Sequence, residues 1–121
     1  FDHQGVEARR QSGFLMAKKI KEIAQNTAAI CVGDFNSTPE TEQIKTLQAA
    51  LNDTYLVSKM PPYGPEGTFN GFKHDAELKN RIDYIFVSKN IEVLKYGVLT
   101  DSYQNKYPSD HQPVVAKVVM K

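Results

Sequence analysis

The chain has 121 residues, with 15 basic and 14 acidic side chains and a formal net charge of +1. This length suits one modest domain and is short for a two-layer sandwich with a deep cleft, while 40% hydrophobic and 24% charged residues make a globular composition. A charge so close to neutral excludes the strong positive field of a non-specific nucleic-acid binder, and no apolar stretch has the roughly 20 residues that span a bilayer.

The first half of the chain predicts a helix, a strand and a second helix. Apolar residues recur at helical spacing over residues 7–25, which predicts an amphipathic surface helix. The apolar run 28–32 predicts a strand buried on both faces that delivers Asp34 at its end. Thr38 and Pro39 predict a helix start, with Thr38 as N-cap, and this helix runs to about residue 50.

The second half predicts a long loop and three strands. Residues 59–72 contain three prolines and three glycines, too many for a regular element, and a loop this long inside a compact domain usually has a function. Strands are predicted over residues 81–88, 91–100 and 113–120. The result is an α+β layout in which helices cover one face of a mostly antiparallel sheet. The single cysteine, Cys31, excludes an internal disulfide and leaves the cellular compartment open.

A first motif, Gly33-Asp34-Phe35-Asn36, places a carboxylate and a carboxamide at the end of the first predicted strand. Because Asp34 and Asn36 are two residues apart on an extended chain, their side chains point the same way and can orient and deprotonate one water molecule. The alternative is a strand end that simply turns through Asp and Asn, since such short patterns also recur by chance.

A second motif places one carboxylate, Asp83, within the apolar strand predicted over residues 81–88. Burying an unpaired carboxylate costs on the order of several kcal/mol, so Asp83 should have a histidine, an arginine or a metal ion as partner. The alternatives are an ion pair with Arg81 or a strand-end position at the surface.

A third motif, the adjacent pair Asp110 and His111, precedes the last predicted strand. On an extended backbone the two side chains lie on opposite sides and can serve two neighbouring roles. The alternative is a solvated loop histidine. Phosphate-ester hydrolysis needs an in-line water, neutralisation of the non-bridging oxygens and help for the leaving oxygen, and the three motifs together supply most of that chemistry.

These motifs, in this order and each at a strand end, resemble the endonuclease/exonuclease/phosphatase (DNase I-like) superfamily. The resemblance implies half of a four-layer α/β/β/α sandwich, with residues 1–121 as the C-terminal part of a single catalytic domain whose N-terminal half is missing. It implies a Mg²⁺- or Mn²⁺-dependent phosphodiesterase or phosphatase that acts by metal-assisted in-line attack of water. The substrate is a phosphate ester of open class: a small phosphoester, a lipid head group or nucleic acid.

The resemblance also implies roles for particular residues. Asp34 orients or deprotonates the attacking water, and Asn36 holds the phosphate or the water shell of the metal. His111 neutralises charge on the phosphate oxygens, and Asp83 orients the imidazole and favours its protonated form. Asp110 binds the divalent cation, with Asp34 and Asn36 as the other members of the predicted metal site.

Three further residues are predicted to contact substrate. The stretch 67–72 resembles a Thr-Phe-His-Gly-Phe stretch of a bacterial subgroup, with Asn70 where those relatives often have His, so Asn70 is expected to contact substrate and Phe69 to line the substrate mouth. Anchoring of the loop is the alternative for Phe69. His3 is expected to contact substrate, with a frayed terminus as the alternative.

A rival hypothesis is a catalytically inactive binding or structural module on the same fold. It is motivated by the missing N-terminal half, where the family carries further metal-binding residues. Half of a sandwich also leaves the inner sheet face uncovered, so we expect this segment alone to be inactive and unable to remain monomeric.

Overall fold

A computed structural model describes residues 3–71, 80–102, 104 and 106–120. Within these ranges, the helices and strands in chain order are α1 (His3–Ala24), β1 (Ile30–Asp34), α2 (Glu42–Ala50), β2 (Asn52–Asp53), α3 (Thr54–Val57), β3 (Asp83–Val87), β4 (Ile91–Val98) and β5 (Val114–Met120). The mixed helix and antiparallel-sheet class predicted from the sequence is confirmed. Among the helices described, none has the length and apolar character needed to cross a membrane.

The strands form two antiparallel sheets. One has the order β1-β3-β2, and the other pairs β4 with β5, with a register shift between Val93 and Lys95. In the first sheet Asp34, the last residue of β1, lies directly opposite Asp83, the first residue of β3. The register therefore brings two of the predicted site carboxylates to the same end of the same sheet.

The first sheet packs one face against α1 and α2. Its buried core residues are Ile44, Leu47, Leu51, Tyr84 and Phe86, against which Met16, Ala17 and Ile20 of α1 also pack. The two helices approach closely at Gly13, where an added Cβ atom would lie 3.0 Å from the Gln43 Cα. A glycine at this helical position therefore permits the close contact of α1 with α2.

The opposite face of β1 is uncovered, which makes the prediction of a strand buried on both faces wrong. Ile30 and Val32 are 51% and 63% exposed, because the helices cover only the other side of the sheet. Residues directly opposite each other in an antiparallel pair share a face. Val32 pairs with Ile85 in this way, and Asp34 with Asp83, so the two carboxylates stand on the face that is uncovered at β1, while at β3 the same face is partly covered where Val87 packs against Ile91 and Val93.

The start of the second helix also differs from the prediction. Helix α2 begins at Glu42 with Thr41 as N-cap, because the Thr38 carbonyl accepts hydrogen bonds from the Thr41 N–H (3.0 Å) and hydroxyl (2.8 Å) in a turn ahead of the helix. Thr38 is therefore not the N-cap. The short elements β2 and α3 were not predicted; α3 starts where the Asp53 side chain accepts a hydrogen bond from the Tyr55 N–H.

The loop predicted over residues 59–72 is described as far as residue 71 and runs beside the edge of β4. The N–H groups of Lys59 and Tyr63 donate to the carbonyls of Val93 (3.0 Å) and Tyr96 (2.9 Å). These bonds satisfy backbone groups that would otherwise be left unpaired at the edge of the sheet. Beyond Tyr63 the loop turns towards the ends of β1 and β3.

Candidate active site

The three motifs meet around the imidazole of His111. Its Nδ1 atom lies 2.8 Å from Asp83 Oδ2, and its Nε2 atom lies 3.5 Å from Asp34 Oδ2 and 4.0 Å from Asp110 Oδ1. One potential ligand atom from each of Asp34, Asp83 and His111 falls within 4.8 Å of the others. One carboxylate, Asp83, therefore contacts Nδ1 of the ring, and two carboxylates, Asp34 and Asp110, flank Nε2.

Asp34 is positioned by its strand and by the residue two positions later. The Asn36 N–H donates to Asp34 Oδ1 at 2.8 Å, which fixes the direction of the carboxylate. Asn36 has a left-handed backbone, with φ of 49°, a conformation that asparagine tolerates better than most residues. Both residues are exposed, so the carboxylate and the amide are accessible to water.

Asp83 has the histidine partner that was one of the three predicted. Its side chain is 17% exposed, against 38% for Asp34 and 42% for Asp110. The alternative of an ion pair between Asp83 and Arg81 is wrong. Arg81 Nη1 instead contacts Asp53 Oδ2 at 2.8 Å, with both side chains almost fully buried.

The carboxylates favour the protonated form of His111. The hydrogen bond to Asp83 is the largest cause of a raised His111 pKa; burial, the second-largest cause, lowers it, and the charges of Asp83, Asp34 and Asp110 each raise it further. An imidazolium in this position donates Nδ1–H to Asp83 and presents Nε2–H towards the exposed side. It can thus meet developing negative charge on a substrate.

Phe69 and Asn70 lie beside His111 in different ways. The Phe69 ring is exposed and packs edge-on against the imidazole, with 5.3 Å between ring centroids. Asn70 is buried, and its side-chain amide donates to the Ser109 carbonyl at 2.9 Å and to the Gln112 side chain. Asn70 therefore supports the segment that carries His111, and its contact with substrate stays a prediction.

The predicted substrate contact of His3 concerns a side chain outside the described part of the structure. It too stays a prediction.

The family profile of the Endonuclease/Exonuclease/phosphatase family matches residues 3–111. The chain belongs to this family. Its members include phosphatases and nucleases, hydrolases that act on phosphate esters, so the predicted recognition and the phosphoesterase superfamily are confirmed. No functionally curated protein matches the chain significantly.

Solved structures of the family superpose well on the chain. An endonuclease/exonuclease/phosphatase family protein from Bacteroides thetaiotaomicron is 37% identical over 100% of this chain, with a TM-score of 0.88. A mannosyl-6-phosphatase from the same species is 38% identical over 98%, with a TM-score of 0.86. The catalytic domain of human Nocturnin, with bound sulfate, is 27% identical over 93%, with a TM-score of 0.68.

The chain spans about half the length of these relatives. It covers 47% of the first Bacteroides structure, 48% of the mannosyl-6-phosphatase and 41% of the Nocturnin structure. This coverage is consistent with the predicted C-terminal half of an endonuclease/exonuclease/phosphatase fold. A further part of the fold in those relatives has no counterpart among these residues.

The acidic residues of this family member fit a hard divalent cation. The carboxylates of Asp34 and Asp110 both lie on the Nε2 side of His111 and are more than one third exposed, whereas Asp83 is already bonded to Nδ1. Oxygen ligands of this kind suit Mg²⁺ or Mn²⁺. Asn36, two residues beyond Asp34, could add an amide oxygen or bind through water.

Sequence reasoning missed two features that support the site. One is Thr68, which is fully buried and hydrogen-bonded to the backbone of Asp83. The other is the ion pair of Asp53 with Arg81, whose guanidinium also stacks between the rings of Tyr55 and Tyr84. The only sequence signal for Thr68 was its place in the stretch 67–72. The sequence gives no signal for the pairing of Asp53, because its partner Arg81 is 28 residues away.

Proposed function

We propose that the chain is the C-terminal half of the catalytic domain of a divalent-metal-dependent phosphoesterase, which hydrolyses its substrate by in-line attack of water. The observation that carries the proposal is the arrangement around His111, with Asp83 at 2.8 Å on one ring nitrogen and Asp34 and Asp110 beside the other. Each group occupies a position suited to one requirement of phosphoryl transfer.

Asp34 is the group that orients or deprotonates the attacking water in this proposal. Its carboxylate is accessible: Oδ1 accepts from the Asn36 N–H, and Oδ2, which lies 3.5 Å from His111 Nε2, can also accept from a water molecule. The Asn36 amide stands next to it and can hold a phosphate oxygen. This pairing gives the water a fixed direction of approach.

His111 neutralises the charge that grows on the phosphate oxygens. Asp83 fixes the orientation of the ring and stabilises its protonated state, so the donor is in place before the substrate arrives. Preorganised donors of this kind typically contribute about 10²–10³-fold to the rate. Asp83 acts through His111 and does not itself reach the substrate.

The cation site of the proposal consists of Asp110 and Asp34, with Asn36 nearby. A bound Mg²⁺ or Mn²⁺ would polarise the phosphoryl oxygen and increase the acidity of its bound water. Both carboxylates also flank His111 Nε2, so without a cation they would compete with a phosphate for the imidazolium.

The substrate class best supported is a small phosphoester. A relative that is 38% identical is named as a mannosyl-6-phosphatase, which favours a sugar phosphate monoester. A net charge of +1 on this chain also provides little general attraction for a polyanion such as DNA. Recognition must then depend on local groups such as His111 and the exposed ring of Phe69.

The proposal is tested with the complete natural polypeptide that contains these residues. Release of phosphate from mannose 6-phosphate and other sugar phosphates is measured beside hydrolysis of a bis-aryl phosphodiester, RNA and sphingomyelin, with Mg²⁺, with Mn²⁺ and with EDTA. We expect hydrolysis of at least one small phosphoester that EDTA abolishes and Mg²⁺ restores. A folded protein without activity on any of these substrates would support the inactive module instead.

A further inference from the structure

Thr68 makes two hydrogen bonds with its hydroxyl oxygen at the start of β3. The hydroxyl accepts from the N–H of Ile82 at 3.0 Å and from the N–H of Asp83 at 3.1 Å. Thr68 is 0% exposed, so water does not compete with the amides for its hydroxyl. A buried N–H group without a partner costs about 1–3 kcal/mol, so the Thr68 oxygen stabilises the start of β3 by accepting both hydrogen bonds.

The backbone of Thr68 contacts the other side of the site. Its carbonyl accepts from the N–H of Gln112 at 2.6 Å, directly after His111. The next residue, Phe69, forms an isolated antiparallel bridge with His111. One buried residue thus holds the chain at Asp83 with its side chain and the chain at His111 with its backbone.

We propose that Thr68 is a positioning residue of the site, which sets the separation and orientation of the Asp83–His111 pair. The inference rests on the proposed function, because the pair matters only if His111 acts on a substrate. Threonine suits the role because its β-branched side chain has few rotamers, so the two contacts are held at a nearly fixed distance. Thr68 itself is fully buried and does not contact the reacting atoms.

Asn70 supports the same segment independently. Its backbone N–H donates to the Asp110 carbonyl at 2.8 Å, and its side chain bonds to the Ser109 carbonyl. The segment 109–112 is therefore held along its length, whereas the hydrogen bonds at the N–H groups of Ile82 and Asp83 are made by the Thr68 hydroxyl. Removing that hydroxyl should loosen Asp83 more than His111.

The test uses the complete natural polypeptide and two substitutions that separate hydrogen bonding from shape. Thr68→Val keeps the branched shape and removes the acceptor, whereas Thr68→Ser keeps the acceptor. We expect Thr68→Val to lower kcat at least about tenfold with KM changed less than about threefold, because the loss concerns geometry in the transition state. Thr68→Ser should stay within about threefold of wild type in kcat.

A second measurement follows amide hydrogen exchange at Ile82 and Asp83. Exchange at these amides should accelerate in Thr68→Val and remain slow in Thr68→Ser. Thr46→Val is the matched control, since the Thr46 hydroxyl donates to the Glu42 carbonyl at 2.9 Å, within α2 and away from the site. It should change neither kcat nor exchange at residues 82 and 83.

Equal kcat in Thr68→Val and wild type, or equal losses in the valine and serine variants, would overturn the inference. If the valine variant does not fold, Thr68→Ser against Thr68→Ala makes the same comparison, because they differ by the hydroxyl oxygen. A wild-type protein without activity would defeat the proposed function, and the exchange data would still decide whether the hydroxyl holds Asp83. Unchanged amide exchange at Ile82 and Asp83 in Thr68→Val would then also reject the inference that the Thr68 hydroxyl holds Asp83.

Discussion

His111 has acidic neighbours on both of its ring nitrogens, and each side has a different consequence. Asp83 is bonded to Nδ1 and partly buried, so it fixes the ring and its charge. Asp34 and Asp110 are more exposed and remain available for water, a cation or substrate. In the proposed mechanism, this difference in exposure distinguishes the positioning carboxylate of Asp83 from the two carboxylates that act on water and the cation.

The first prediction concerns the titration of His111 in the metal-free protein. Its pKa should lie above the ordinary value of 6.5, because the imidazolium is hydrogen-bonded to Asp83 and faces two more carboxylates. Stability from this pair is fully present below the unfolded pKa and is lost as pH rises through the higher folded pKa. NMR titration of ¹⁵N-labelled histidine in EDTA measures the shift.

Asp83→Asn should move the His111 midpoint downward, while Glu22→Gln on the exposed face of α1 should leave it unchanged. A wild-type midpoint at or below 6.5 would contradict the prediction.

The ion pair of Asp53 with Arg81 supplies the second prediction. Both side chains are nearly inaccessible, so removing one charge leaves the other buried without compensation. Asp53→Asn keeps the size of the side chain and should lower the free energy of unfolding by about 3 kcal/mol or more. Urea unfolding of the complete polypeptide measures the loss, with the exposed Glu22→Ala as the control, expected below about 0.5 kcal/mol.

A loss below about 1 kcal/mol in Asp53→Asn would show that the pair is not needed to offset burial.

At the scale of elements, the sequence predicts the strand ends that carry the site better than the short elements between them. Alternation and apolar runs located β1, β3, β4 and β5, and the register then brought Asp34 opposite Asp83. Strand β2 has only two residues and α3 four, too few for any periodicity to appear. The start of α2 was missed because Thr38 is used by a local turn.

The limit of prediction at the site is the choice of partners. The sequence predicted that Asp83 needs a histidine, an arginine or a metal ion as partner, and in the structure that partner is His111. It could not state that Arg81 pairs with Asp53, nor that Thr68 joins two segments. Those contacts depend on how a glycine- and proline-rich loop folds back, which local patterns do not determine.

The contact between α1 and α2 supplies the third prediction. At Gly13 an added Cβ atom would lie 3.0 Å from both the Cα and the carbonyl oxygen of Gln43, so a large side chain must push the helices apart. Gly13→Leu should destabilise the protein by about 1–3 kcal/mol. The matched control is Ser12→Leu, at an exposed position of the same helix, and thermal unfolding of both variants measures the difference.

Equal stability of the two leucine variants would show that the helices do not pack at Gly13.

At the scale of the whole molecule, the uncovered sheet face is the main feature. Ile30 and Val32 of β1 are each at least half exposed, and Asp34 and Asp83 stand on the same face of the first sheet as these two residues. The relatives have about as much chain again. We therefore propose that the rest of the domain covers this face and completes the site.

The fourth prediction follows from that face. Residues 1–121 produced alone should self-associate and lack phosphoesterase activity, because exposed apolar patches drive association and the chain covers only about half of the fold of its relatives. Light scattering after size exclusion measures the mass. Val32→Lys should reduce the association, whereas Ser12→Lys on α1 should not.

A monomeric, active segment would contradict both parts of that prediction.

The most direct test of the account is the steady-state rate of the complete polypeptide with Mg²⁺ after His111→Ala and Asp34→Asn, with Glu22→Gln as the control. We predict that each site substitution lowers kcat/KM at least about 100-fold while the control stays at the wild-type value. A loss of less than about tenfold in either site variant, with the fold intact, would contradict the assignment of the reaction to these residues.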